Sequence, residues 1–250
     1  SRSVGVVSKL LKSKSKKEFT KETSAKYGLI RESFYENQKN IKLISIDEAR
    51  KRKVKIKYKP IKPNIEGINF LDKISLEVLK NYIDWTPFFH AWEFRGSYPK
   101  IFEDSDKGVE AKKLFKEANK LLSKIIDNDL IRAKAVYGIV QARSFNEQVK
   151  VLDYNMKFNF PRQLIDKGST PNFCLADFIS PTQTDYLGMF AVTAGHGVEQ
   201  MVNDFELDND DYSAIMVKIL ADRLAEASAE WLHEKIRKEI WGYSKNENYS

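Results

Sequence analysis

Apolar positions recur along this chain with two periods, and the places where the period changes mark its elements. Over residues 106–126, Val109, Leu114, Ala118, Leu121, Leu122 and Ile125 trace one face at spacings of three and four, which predicts a helix. Residues 212–241 repeat the pattern through Ile215, Ile219, Leu220, Leu224, Ala227, Trp231 and Ile240. That stretch has no proline, Asp210 or Asp211 can cap its start, and Gly242 can end it. Shorter helices are predicted at residues 75–82, after Ser75, and at 197–205. Strand-like runs occupy residues 135–144 and 148–156, with Asn146 and Glu147 as a hairpin turn, and further runs occupy 173–179 and 186–193. Residues 85–92 are dense in aromatics around Pro87. With no regular alternation of strand and helix, the pattern predicts an α+β fold with an antiparallel sheet.

Before residue 65 the pattern differs. Residues 1–11 read as a short apolar helix, 12–17 as a Lys/Ser stretch, and 16–35 as a charged helix with few apolar anchors. Residues 51–63 alternate Lys with Val54, Ile56 and Tyr58 before two prolines, and predict an extended crossing or an edge strand.

Charge sharpens that division. Residues 1–62 hold 19 Lys and Arg against 6 Asp and Glu, a balance of +13, whereas residues 63–250 hold 23 against 29, a balance of −6. The basic character of the chain therefore belongs to an N-terminal arm, which can bind an acidic partner or serve as a solvated linker. Interleaved aromatics of the kind that stack on single strands are missing from the arm, so nucleic acid is not an expected partner. No apolar run approaches the ~20 residues of a membrane span. No secretory signal pattern opens the chain and Cys174 is its single cysteine, which together predict a reducing, cytoplasmic setting.

Candidate chemistry is sparse. Gly195-His196-Gly197 lacks the third glycine of a dinucleotide fingerprint and reads as a turn. The acids at 204, 206, 208, 210 and 211 fail the EF-hand spacing and read as helix capping. His90, His196 and His233 have no metal-ligand spacing, and Cys174 reads as a buried small hydrophobe in a strand, so no metal site is expected. Asp222, Glu226, Glu230 and His233 recur every three or four residues on the polar face of the last helix, either as plain solvent exposure or as an acidic lining that holds a cation. Asp84 stands among aromatics, where it predicts a partly buried carboxylate or a helix cap before Pro87.

Several long motifs occur in a recognisable order. They are Ile83-Asp84-Trp85-Thr86-Pro87-Phe88-Phe89, Gly96-x-Tyr98-Pro99, Cys174-Leu175-Ala176-Asp177-Phe178, Asp185-Tyr186-x-Gly188, Ala221-Asp222-Arg223-Leu224-Ala225-Glu226-Ala227 and Trp241-Gly242-Tyr243. In these motifs residues 65–250 resemble the S-adenosylmethionine-binding reactivation domain of cobalamin-dependent methionine synthases. The resemblance implies a curved antiparallel sheet with flanking helices and a long C-terminal helix, preceded by a helical basic linker. It divides the chain into residues 1–11 as the end of a cobalamin-binding domain, 12–62 as linker and 63–250 as the reactivation domain.

The function it implies is binding of S-adenosylmethionine and reductive methylation of cob(II)alamin, with an electron from flavodoxin or an equivalent reductase. Asp84 and Glu226 match family carboxylates at the S-adenosylmethionine site, and Asp222 matches an acid that receives a histidine released from cobalt. A second acidic partner of that histidine falls at Val198, beside Glu199. The family's Arg-x-x-x-Gly-Tyr-Pro segment does not occur before Ser250, which implies a domain cut short, with no catalytic residue in this stretch. Cobalamin belongs to the neighbouring domain of the same chain, itself an expected partner, and zinc to a distant domain of the whole enzyme. The rival expectation is an interaction module that docks on the cobalamin domain or the reductase without binding S-adenosylmethionine.

Overall fold

The computed structural model describes residues 2–39 and 41–247. The chain divides into two compact units: residues 58–145, 149–158 and 179–250 form the larger, and residues 1–57, 146–148 and 159–178 the smaller.

In chain order the elements are α1 (Arg2–Leu11), α2 (Ser13–Lys39), α3 (Ile46–Lys51), β1 (Gly67–Ile74), α4 (Leu76–Leu79) with a 3-10 turn at Lys80–Tyr82, and α5 (Trp85–Ala91). A 3-10 turn at Lys100–Glu103 leads into α6 (Gly108–Asp127), followed by β2 (Arg132–Phe145), β3 (Gln148–Val151) and β4 (Met156–Asn159). Then come a 3-10 turn at Leu175–Phe178, β5 (Asp185–His196), α7 (Val198–Leu207), α8 (Asp211–Lys235) and a π-turn at Ile236–Ile240. The fold is α+β, as expected, with a five-stranded antiparallel sheet, flanking helices and a long C-terminal helix. The strands run in the order β1-β2-β3-β4, and β5 also pairs with β2.

The core of the larger unit lies between the sheet and the helices. Helix α6 buries Ala111, Leu114, Ala118, Leu122 and Ile125. Helix α8 buries Ala214, Val217, Leu220, Ala221, Leu224, Ala227 and Leu232, and packs against β5, α5 and α7. Its buried stripe is rotated from the expected one, leaving Ile215 exposed, and Val109 at the start of α6 is likewise outside the core at 76% exposure. Between α5 and α6 lies an aromatic nest, in which Phe89 packs edge-on to Phe88, Phe94 and Phe102 and stacks with Phe115 and Tyr98. Such pairs add about 0.5–1.5 kcal/mol each to area burial.

Several expectations need correction. Among the described residues, 53–63 pair with no strand, and Pro60 and Pro63 have no ladder donor to offer. The run at 173–179 is not a strand: its residues coil into the 3-10 turn while Cys174 and Ala176 are buried. The strand at 148–156 ends at Val151 and breaks before β4. Of the opening helix, Ser1 lies outside the described residues, as do residues 248–250 of the expected reactivation domain.

The smaller unit is held differently. Arg162, with 1% of its side chain exposed, bonds Asp177 through Nη1 and Nη2 at 2.7 Å each and Glu147 through Nε at 2.9 Å. Arg50 Nη2 adds a second pair to Glu147 at 2.6 Å. Asp166 is clamped by Arg52 at 2.7 Å and Lys42 at 3.0 Å. The Cys174 thiol donates to the Phe160 carbonyl at 3.1 Å.

Candidate functional site

Asp84 is the N-cap of α5, and its Oδ1 accepts the Thr86 amide at 2.9 Å. It is exposed, not partly buried, because capping turns the carboxylate outward while its neighbours Ile83 and Trp85 supply the burial. Pro87 fits this first turn, where no intrahelical donor is needed. Thr86 Oγ1 in turn accepts the Tyr98 amide at 3.1 Å, which ties the loop holding Gly96 and Pro99 to the same helix start.

On α8, Asp222, Glu226, Glu230 and His233 all lie on the exposed face. Successive carboxylates rise by ~6 Å along the axis. Asp222, 69% exposed, pairs with Arg223, whose side chain is 12% exposed. Among the described residues Glu226 and Glu230 have no ion-pair partner, and Asp84 uses only one oxygen, leaving Oδ2 open. The His233 ring lies 6.3 Å from that of Phe190 on β5.

Tyr82 links Asp84's segment to this helix. Its hydroxyl donates to Glu234 Oε2 at 2.8 Å, and Glu234 also pairs with Lys238. Lys238 first, then Tyr82, hold the Glu234 carboxyl below its usual range. The Tyr82 hydroxyl is pushed up by that bond and by burial, with Glu230 adding to the effect. Asp84 follows two residues beyond Tyr82 in the chain. Asp84 and Glu226 themselves share no hydrogen bond. Nothing in the sequence around Tyr82 signals this bond, because its partner lies 152 positions away.

The other candidates resolve into structure. Gly197 has φ +93° and an added Cβ would stand 2.0 Å from the Leu130 carbonyl oxygen, so the glycine serves a tight turn. Asp210 caps α8 by accepting the Ser213 amide at 3.0 Å. Among the described residues no group of three or more His, Cys, Asp or Glu is placed to hold a metal ion.

A family model described as "Vitamin B12 dependent methionine synthase, activation domain" matches residues 75–250. Among solved structures, the chain is similar to the crystal structure of the MetH reactivation domain bound to AdoHcy, with 40% sequence identity and a TM-score of 0.79. The match covers 83% of this chain and 67% of that one.

Proposed function

This chain belongs to the vitamin B12 dependent methionine synthase activation-domain family, and on that premise we propose that it binds S-adenosylmethionine as the methyl donor for reactivating cobalamin. The observation that supports the reading is that two carboxylates stand exposed, Glu226 on α8 and Asp84 at the start of α5, the latter with one oxygen outside its helix cap. The ligand fits such a pair: its ammonium and sulfonium are cations and its ribose hydroxyls are donors. A carboxylate that accepts from the ammonium or a ribose hydroxyl forms a charge-assisted bond, and it offsets the sulfonium by charge alone. Asp84 keeps Oδ2 for the ligand while Oδ1 caps the helix, and α8 places Glu226 on a rigid element.

Within a whole methionine synthase, this unit presents the methyl donor to cobalamin held by a neighbouring domain, after an electron from flavodoxin or an equivalent reductase has reduced cob(II)alamin. The sulfonium then gives up its methyl group and leaves as S-adenosylhomocysteine, the compound bound in the related structure. The methyltransferase activity belongs to the whole enzyme, in a cytoplasmic setting. Residues 1–11 end the cobalamin-binding domain and residues 12–62 link it to this one. Asp222 receives a histidine displaced from cobalt, which requires it to exchange its bond to Arg223.

Calorimetric titration of S-adenosylmethionine tests the site. Glu226→Gln should weaken binding by roughly tenfold or more, the loss of one charged hydrogen bond worth ~1.5–3 kcal/mol. Asp84→Asn keeps the cap and should show a similar loss. Unchanged affinity in both variants removes the site and favours the docking module. In the whole enzyme, Asp222→Asn should leave affinity intact and shift the cobalamin absorption spectrum towards the histidine-ligated form; identical spectra exclude that role.

A further inference from the structure

A concave site lies between α6, α7 and the first turns of α8, some ten residues and ~15 Å along the helix from Glu226. It is a hollow of about 300 Å³ floored by Leu121, Phe205 and Met216, with Lys120 and Lys124 on its rim. Met216 is buried, and the Lys124 ammonium lies 5.9 Å from the centroid of the Phe205 ring. Lys116, Lys120 and Lys124 stand one helical turn apart, ~6 Å of rise each. Among the described residues none of the three has an ion-pair partner. The carboxylate at the mouth, Glu117, is engaged by the Tyr212 hydroxyl at 2.6 Å and by Lys113 at 4.0 Å.

We propose that this hollow binds a nucleotide, with its planar base on the Leu121–Phe205–Met216 floor and its phosphates along the α6 lysines. Aromatic and thioether groups favour a flat ring, and a row of ammoniums favours several linked negative charges. A fatty acid fits less well: it brings a single charge to a row of ammoniums.

Adenosine diphosphate, inorganic pyrophosphate and adenosine, titrated separately into the isotope-labelled chain at low salt, decide the matter by NMR. Adenosine diphosphate should bind tightest and move the amides of Leu121, Phe205 and Met216. Lys120→Ala/Lys124→Ala should weaken it about tenfold or more, as loss of charge-assisted contacts predicts, while Glu226→Gln leaves it unchanged. Equal binding of pyrophosphate overturns the role of the floor, and equal binding of adenosine overturns that of the lysines. Loss of binding in Glu226→Gln, or shifts confined to other residues, overturns the site altogether.

Discussion

The two compact units are stabilised by opposite means. The larger one buries apolar surface: Phe88, Phe89, Leu122, Ile125, Leu220, Leu224 and Leu232 are all fully enclosed. The smaller one keeps few apolar side chains inside, among them Ile44, Ala49, Cys174 and Ala176, and centres on a buried guanidinium shared by two carboxylates. Apolar packing is indifferent to pH and its cost on mutation grows with the void left behind. An ion network depends on every member, since removing one leaves an uncompensated buried charge. The difference teaches where the chain can change: the acidic face of α8 rests on the pH-indifferent core, whereas the 159–178 segment is held by charges that acid can neutralise.

The largest expected effect separates the two directly. Phe89→Ala should destabilise the larger unit by ~3–5 kcal/mol, seen as a lower denaturant midpoint reported by the sheet. Arg162→Ala should cost a comparable ~3–5 kcal/mol, but within the smaller unit. Amide exchange should then rise across 159–178 while β2 and β5 keep their protection. Equal loss in both units for either variant breaks the comparison.

Acid provides a graded version. Arg50 above all, then Arg162, holds the Glu147 carboxyl at about 2, below its ordinary 4.5. Lys42, then Arg52, hold the Asp166 carboxyl well below the usual carboxylate range. Both folded values are depressed, so their stabilisation is fully present above pH ~4.5 and is lost progressively as pH falls from there through the folded values, Glu147's lying at about 2. Amide shifts of residues 159–178 should therefore change across that window, ahead of those in β2 and β5. Simultaneous change throughout the chain contradicts this.

The smallest effect concerns charges outside the network. Lys51, Lys53 and Lys55 are exposed, whereas Arg52 between them is tied to Asp166. Changing the three lysines to Ser should leave stability within ~0.5 kcal/mol. In the whole enzyme it should slow reactivation by an acidic flavodoxin, most at low salt, where steering is least screened. An unchanged rate at low salt excludes steering by the arm.

The helices α6 and α8 and the β2–β3 hairpin were legible because their apolar residues keep one period over many turns. Strand β1 was not: Ile68 and Phe70, the latter 72% exposed, point to an open face, and only pairing with β2 defines the strand. Helix α3 escaped because six residues, held by the Ser45 cap, are too few to show a period. The segment 173–179 buries alternate residues yet coils, so its period was misleading. At the candidate site, Asp84 and the α8 acids could be named from sequence, but Tyr82–Glu234 and the Arg162 network join positions far apart in the chain.

The central claim is that Asp84 and Glu226 hold S-adenosylmethionine. A crystal structure of the chain with that ligand tests it most directly. The account predicts both carboxylates within hydrogen-bonding distance, about 2.7–3.2 Å, of the ligand's ammonium or ribose hydroxyls, with the Asp84–Thr86 cap intact. Ligand density elsewhere, or there without contact to either carboxylate, contradicts it.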